Sequence, residues 1–239
     1  MGESGKIFLL SLASFVMTAA LADGQVFSNG GFESGAFPPW STIGVTNVQG
    51  TFNGQAPAEG SFQAVLSAPF KSGTVSQSAL ETFLGLSSGT LNSINGGTAF
   101  NGGSGLAQTF TVQNGAIISF FWDFMPNGSD GSTTQNDSAF FTLHLSSSSS
   151  SSITLLDRTS TSGGIASGYQ LFTTGPLAAG TYILGFGLFD LAGTGGGPED
   201  SQDPNLLIDG VQVIPEPMTW MLLALGASLV FVLRRRRLI

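Results

Sequence analysis

The sequence contains no cysteine and a single histidine, His144. Without cysteine the chain forms no disulfide bonds and binds no metal through thiolates. A Ser-His-Asp arrangement would have to use His144, which is predicted to face solvent from a strand. The phosphate-binding loop and the HExxH motif are also absent from the sequence. These absences favour a protein that is not an enzyme, and no catalytic residue is assigned.

Charged residues make up only 9% of the chain, and basic residues are rare in its central part. Between Gly24 and Ile214 there are twelve acidic residues and two basic ones, Lys71 and Arg158, which gives this part a formal net charge of −10. A surface of this sign repels the phosphates of nucleic acids, so the composition excludes a nucleic acid partner. Acidic extracellular domains of this kind often bind Ca²⁺ through oxygen ligands.

Glycine and phenylalanine are abundant, with 34 and 20 residues in a chain of 239. Hydrophobic residues make up 41% of the sequence, which is enough to form a packed core. The many glycine, serine, threonine and asparagine residues indicate a β-rich extracellular protein with many turns. The length suits one domain, which we place at residues 23–214, with processing segments at both ends.

Residues 1–22 have the pattern of a secretory signal peptide. Lys6 supplies the positive charge that such peptides carry near their start, and an apolar stretch runs from Ile7 to Leu21. The small-Leu-small sequence that ends at Ala22 fits a cleavage site, so the mature chain is predicted to begin at Asp23. The alternative is an N-terminal anchor that is not cleaved.

The last 25 residues consist of three parts in a fixed order. They are a Pro-Glu-Pro sequence (Pro215, Glu216, Pro217), an apolar run from Met218 to Leu233, and four arginines (Arg234, Arg235, Arg236, Arg237). As a helix the run would span about 24 Å, at the short end for a hydrocarbon core of roughly 30 Å. The arginines would stop the chain on the cytoplasmic side, with the domain on the opposite side. The residues alone leave open whether the tail is a permanent anchor or is cleaved.

This tail resembles the PEP-CTERM sorting signal of exported bacterial proteins. The resemblance covers residues 215–239 only, and it implies that 215–217 are recognised, that 218–233 form a transmembrane helix and that 234–237 act as the stop. It further implies that the tail holds the protein transiently in the inner membrane. An exosortase-type enzyme then cleaves near the Pro-Glu-Pro, and the protein reaches the cell surface or the extracellular space.

The central domain has alternating apolar segments separated by glycine-rich turns. This pattern predicts an all-β fold, an antiparallel jelly-roll-like β-sandwich, flanked by the signal helix and the transmembrane helix. Ala116 to Phe124 is the longest apolar strand and is predicted to be central. Ser76 to Leu86 has the spacing of a short helix, within an insertion from Gly73 to Phe100. Other strands predicted from this pattern are 106–112, 138–145, 153–156, 168–173 and 180–189, with a seven-serine loop at 146–152.

The two ends of the central domain resemble jelly-roll modules similar to carbohydrate-binding modules. The matching residues are the opening segment Asn29-Gly30-Gly31-Phe32-Glu33, then Trp40, and the closing strand from Leu206 to Val213, which contains Ile208-Asp209-Gly210-Val211-Gln212-Val213. The segment 59–66 is similar to the second strand of these modules. The resemblance implies a structural Ca²⁺ held by Glu33 and Asp209 with backbone carbonyls. The alternative is that Glu33 caps a turn and that Asp209 accepts hydrogen bonds from backbone amides at a strand end.

Two acidic loops and four aromatic residues are weaker candidates for binding. The loops 127–137 and 199–203 are rich in oxygen, but neither has the spacing of an EF-hand, and solvated loops are the favoured interpretation. Candidates for stacking on sugar rings are Trp40, Trp122, Tyr169 and Tyr182. For both tryptophans a place in the core is the favoured interpretation.

The sequence therefore predicts a non-enzymatic exported protein of the cell surface or extracellular matrix. Its predicted role is structural or adhesive, in an exopolysaccharide layer. One alternative is a carbohydrate-binding module with a defined glycan site. Another is a secreted enzyme that cleaves glycans with paired carboxylates, although the twelve acidic residues suggest no specific pair.

Overall fold

The computed structural model describes residues 27–69, 72–95, 100–126, 137–148, 151–158, 166–191 and 203–215. The predicted signal peptide lies outside these residues, as does the predicted tail beyond Pro215. The tail residues concerned are Glu216, Pro217, the apolar run 218–233 and the arginines 234–237. Within the described ranges, no helix has the length and apolar character needed to cross a membrane.

The described chain folds into ten β-strands and two short helices. The helices are α1 (Gln77–Phe83) and α2 (Thr90–Asn95), between the third and fourth strands. The strands are β1 (Ser41–Ile43), β2 (Val45–Gln49), β3 (Gln63–Ser67), β4 (Phe100–Val112), β5 (Ile117–Met125), β6 (Ser138–Leu145), β7 (Ser152–Arg158), β8 (Gln170–Thr173), β9 (Gly180–Leu191) and β10 (Asn205–Ile214).

The strands form two five-stranded antiparallel sheets. Sheet A has the order β1-β4-β9-β6-β7, and sheet B has the order β2-β3-β10-β5-β8. The predicted all-β antiparallel sandwich is therefore confirmed. The sequence pattern does not reveal β1, β2 or α2, because segments of three to six residues contain too few positions to establish a period.

The core lies between the two sheets and is built by alternation along the strands. In sheet B, Ile208 of β10 lies opposite Trp122 of β5, and both contribute to the main hydrophobic cluster. Phe120 of β5 reaches sheet A, where its ring meets that of Phe186 edge-on with centroids 4.8 Å apart. The residues that alternate with these in β5 and β10, which include Asp209, point to the outer face of sheet B.

Helix α1 confirms the helical spacing predicted between residues 76 and 86. Ser76 caps its N-terminus by accepting a backbone N–H with its side-chain oxygen. Glu81, of which only 2% is exposed, ties α1 to α2. Its carboxylate accepts the backbone N–H groups of Gly89 and Leu91 at 3.0 and 2.9 Å. This carboxylate therefore fixes α2 relative to α1 within the described part of the insertion, residues 73–95.

A glycine stripe in sheet A, formed by Gly103 and Gly105 of β4 and Gly185 of β9, allows α1 to approach the sheet closely. A methyl group added at Gly103 would lie 2.7 Å from Cδ2 of Leu80, and one at Gly185 would lie 2.6 Å from Cδ2 of Leu84. Both leucines are fully buried. The helix therefore packs almost directly on the backbone of the two strands.

Replacement of Gly103 by alanine is expected to destabilise the fold by about 1–3 kcal/mol, because the site has no room for a methyl group. That group would lie 2.8 Å from the Leu188 carbonyl oxygen as well as against Leu80. Gly175→Ala is the matched control, since a methyl group there meets nothing within 4 Å. Urea unfolding measures both variants. Equal free energies of unfolding would show that α1 is not packed on the stripe as described.

Candidate functional site

Glu33, the first predicted calcium ligand, lies in the opening turn before β1, and its exposed side chain binds the backbone of a distant segment. Oε1 accepts the N–H groups of Ser61 and Phe62 at 2.9 and 3.1 Å. Oε2 accepts the Ser61 N–H at 3.0 Å. One carboxylate thus fixes the turn that leads into β3.

Asp209, the second predicted ligand, lies on β10 where the register with β5 shifts, and it is fully buried. Its Oδ2 accepts the N–H of Glu59 at 2.9 Å, and its Oδ1 accepts the N–H of Gly210 at 2.7 Å. Gly210 has a φ of +56°, a left-handed conformation that favours glycine. Glu33 and Asp209 therefore hold successive parts of the segment 59–62 on sheet B.

Three carboxylates gather around Gly31, at the predicted calcium site. A methyl group at Gly31 would lie 3.5 Å from Oε1 of Glu59, 3.7 Å from Cγ of Glu33 and 3.9 Å from Oδ1 of Asp209. Within the described ranges, however, no three histidine, aspartate or glutamate side chains are arranged to hold a metal ion. The hydrogen bonds of Glu33 and Asp209 are those that the amide-binding alternative predicts, and calcium binding stays a prediction.

The two weaker acidic loops lie mainly outside the described residues, which exclude 127–136 and 199–202. Of the first loop, Asp137 is described and is only 1% exposed. Its Oδ1 accepts the backbone N–H of Leu191 at 2.9 Å. Asp137 therefore fixes the end of β9 by accepting a backbone N–H group, in the same way that Glu33 and Asp209 fix the segment 59–62.

Asp123 and Tyr169 form a polar cluster beside Asp209 on the outer face of sheet B. Oδ1 of Asp123 accepts the hydroxyl of Ser167 at 3.0 Å, while its buried Oδ2 has no hydrogen-bond partner among the described residues. The hydroxyl of Tyr169 donates to Oε1 of Gln63. The sequence reasoning did not single out this cluster. Its one signal is a carboxyl group inside the most apolar strand, where a charge needs partners.

The electrostatics of this face disfavour ionised carboxylates. Burial raises the pKa of Asp123 above its ordinary value. Burial and the nearby Glu59 carboxylate raise the pKa of Asp209 to about 6, although hydrogen bonds from backbone amides oppose the shift. Burial also raises the pKa of Tyr169, as do the charges of the two aspartates. Protonation of Asp209 therefore stabilises the folded chain.

The aromatic residues predicted as sugar-stacking candidates are buried or half-buried. Trp40 is 4% exposed, stacks on Phe27 with ring centroids 5.8 Å apart, and is a core residue as favoured. Tyr182 is 8% exposed, and its hydroxyl donates to a backbone carbonyl. Trp122 is half-buried against the main core, and Tyr169 is half-buried against a smaller cluster.

His144 lies on the outer face of sheet A beneath the end of α1, and only 9% of it is exposed. The prediction that it faces solvent is wrong, because the turn after α1 covers it: a methyl group at Gly85 would lie 2.8 Å from Cε1 of His144. Burial lowers the pKa of His144. Its Nδ1 has no hydrogen-bond partner among the described residues, and therefore lacks the orienting carboxylate of a catalytic triad.

A groove of about 440 Å³ lies on sheet A beside α1, within the size range of ligand pockets. Paired strands make its floor, where Thr109 of β4 lies opposite Ile183 of β9. Phe83, the last residue of α1, lines the groove. Pro39, which precedes β1, and Ser41, the first residue of β1, line it as well. The full lining is Ser28, Pro39, Ser41, Phe83, Ala107, Gln108, Thr109, Phe110 and Ile183.

The walls of this groove are fixed by internal contacts. In the segment before β1, Nε1 of Trp40 donates to the Asn29 carbonyl at 3.0 Å, and Nδ2 of Asn29 donates to the Ala36 carbonyl at 2.7 Å. On the other side, a methyl group at Gly105 would lie 3.2 Å from Cδ1 of Phe83. The groove is therefore preformed. The sequence pattern does not reveal the groove, because its lining comes from five separate segments.

No protein-family model and no curated protein matches this chain. Among solved structures, it is similar to the carbohydrate-binding module TmCBM61 in complex with β-1,4-galactotriose, with a TM-score of 0.47 and 12% identity over 79% of this chain and 97% of that one. It is also similar to the CBM22-2 xylan-binding domain of Paenibacillus barcinonensis Xyn10C, with a TM-score of 0.38 and 9% identity over 78% and 97% of the two chains.

A third similar structure is the enzymatically active domain of bacteriophage CBA120 tailspike protein 4, with a TM-score of 0.42 and 11% identity. This match covers 78% of the present chain but only 20% of the tailspike chain. At these TM-scores and identities, none of the three similarities assigns a ligand or an activity to this chain.

Replacement of Asp209 by asparagine is expected to flatten the pH dependence of stability between about pH 4 and pH 6. The folded pKa of about 6 lies above the ordinary 3.8, so the folded chain binds this proton more tightly than the unfolded chain. The free energy of unfolding of the wild type therefore falls as pH rises through this window, on the order of 2 kcal/mol from this group. Urea unfolding across the window, in EDTA, measures both chains.

An equal slope in the wild type and in Asp209→Asn would contradict this description of the buried carboxyl group. The same assay, repeated with Ca²⁺ at neutral pH, tests the predicted metal site. A calcium-dependent gain in stability that the variant lacks would support calcium binding at Asp209.

Proposed function

We propose that this chain is a non-enzymatic exported protein that binds carbohydrate and has a structural or adhesive role in an extracellular polysaccharide layer. The observation that carries the proposal is the preformed groove beside α1. Its lining combines apolar surfaces with hydroxyl and amide groups. Sugar rings present both apolar C–H faces and hydroxyls, so a lining of this mixed kind suits them.

The position of the carboxylates supports a binding role over glycan cleavage. A glycosidase needs two carboxyl groups on either side of the scissile bond, and the residues that line the groove include none. Of the carboxylates described above, Glu33, Glu81 and Asp209 accept backbone N–H groups that hold turns and helices. They act as structural acceptors.

A carbohydrate-binding module with a defined glycan site is the second candidate function, and the groove fits it about as well. The two candidates differ in selectivity. A matrix protein with a mainly structural role would bind many polysaccharides weakly, whereas a dedicated module would prefer one glycan strongly.

We also propose that the chain is exported by its signal peptide and sorted through its C-terminal tail. Strand β10 ends at Ile214, and Pro215, which is exposed, follows directly. The exposure of Pro215 supports the proposal that an exosortase-type enzyme recognises the Pro-Glu-Pro sequence. The tail would hold the chain in the inner membrane before release to the surface.

The full chain in detergent micelles is expected to migrate more slowly in native gels that contain polysaccharide than in gels without it. Xylan, galactan, dextran and alginate serve as probes, and an unrelated acidic protein of similar size is the control. Retardation of this chain alone is expected, because only it has the groove. Unchanged mobility with every polysaccharide would refute carbohydrate binding.

The mature protein is expected to lack the four C-terminal arginines, Arg234 to Arg237, when it is isolated from cells that contain an exosortase. Intact-mass spectrometry should give a chain that begins at Asp23 and ends near Pro217. A Pro215→Ala, Pro217→Ala variant is the control, and it should keep the tail because the recognition element is changed. A wild-type chain that still contains Arg237 would contradict sorting by cleavage.

A further inference from the structure

The groove on sheet A contains no ionisable group among the nine described residues that line it. Four of them carry hydroxyl or amide groups, namely Ser28, Ser41, Gln108 and Thr109, and the others offer apolar surfaces. A ligand that is charged would gain no ion pair here. An acidic ligand would in addition meet the domain's formal net charge of −10.

The polar groups of the groove are presented beside an aromatic ring. Ser41 lies opposite Ala107 in the β1–β4 register, and Thr109 follows two residues further along β4, so both face the same side. Thr109 is exposed and Phe83 is half-buried. The ring of Phe83 therefore offers an apolar surface beside the exposed hydroxyls of Ser41 and Thr109.

We propose that this groove binds an uncharged oligosaccharide, with a sugar ring against Phe83 and sugar hydroxyls bonded to Thr109 and Ser41. This inference rests on the proposed carbohydrate binding and adds the site and the ligand class. Phe83 belongs to the helical insertion, so the insertion supplies the aromatic contact. Thr109 belongs to the sheet and supplies the hydrogen bonds that orient the sugar.

An extended peptide is the competing occupant, because β4 has an open edge at this place. Strand β1 pairs with β4 only at residues 105–107, and among the described residues no strand pairs with 108–112 on that side. The Ser28 carbonyl already lies there, where it accepts Nε2 of Gln108 at 3.0 Å. A peptide strand would compete with this segment, whereas a sugar on the outer face would leave it in place.

The test measures the affinity of the full chain in detergent for neutral xylan, galactan and dextran, and for anionic alginate. Phe83→Leu keeps an apolar side chain but removes the ring, and it should weaken neutral glycan binding about tenfold. Thr109→Val keeps the shape but removes the hydroxyl, and it should weaken binding roughly three- to tenfold. Alginate should not bind.

The controls are the same changes on sheet B, Phe121→Leu at a half-buried position and Thr173→Val at an exposed one. Both should keep the wild-type affinity, and thermal melting checks that every variant is folded. If Phe83→Leu fails to fold, the affinity of Thr109→Val for neutral glycans alone decides whether the groove is the binding site.

Neutral glycan binding that neither groove variant weakens would overturn the site, while carbohydrate binding itself would stand. Binding of alginate alone would overturn the ligand class. Protection of the β4 amides from hydrogen exchange by an added peptide, without any effect of Thr109→Val on glycan binding, would assign the groove to a peptide and overturn the proposal. Failure to bind any of the four polysaccharides would refute the proposed function together with this inference.

Discussion

The packing of α1 on the glycine stripe of sheet A is the contact on which the candidate binding site depends. A helix can lie this close to a sheet only where the strands carry no side chains beneath it. Gly103 and Gly105 provide that space in β4, and Gly185 provides it in β9. Larger outer residues, such as Thr109 and Ile183, lie beside the helix. Along the outer face of sheet A, the glycines beneath α1 are followed by larger side chains beyond the end of the helix. Phe83, the last residue of α1, therefore lies at the edge of an open groove.

Backbone amides, and not cations, satisfy several of the acidic side chains in this domain. The central part of the chain has only two basic residues, so ion pairs are scarce by composition. Glu81, Asp137 and Asp209, each nearly or fully buried, accept backbone N–H groups of α2, β9 and the segment before β3. Such charge-assisted hydrogen bonds fix turns in a chain that has no disulfide bonds. The raised pKa of Asp209 reflects the cost of burying a carboxylate in this way.

Most of the sandwich could be predicted from the sequence, whereas most of the groove could not. The apolar patterns of long strands such as β5 and β9 are visible in the sequence, and Ser76 marks the start of α1. The sequence also singles out Glu33 and Asp209, and in the structure both accept backbone N–H groups of the segment 59–62. Sheet order and the position of an insertion depend on long-range packing. For that reason the prediction that His144 faces solvent is wrong, and the helical spacing of residues 76–86 does not reveal that Phe83 lines a groove.

The most direct test of the binding site is a crystal structure of the chain with a bound neutral oligosaccharide, cut from the polysaccharide it binds best. Density for the sugar is expected on sheet A, in contact with Phe83 and within hydrogen-bond distance of Thr109. Sugar density on the outer face of sheet B, with the groove filled only by water, would contradict the binding site described here.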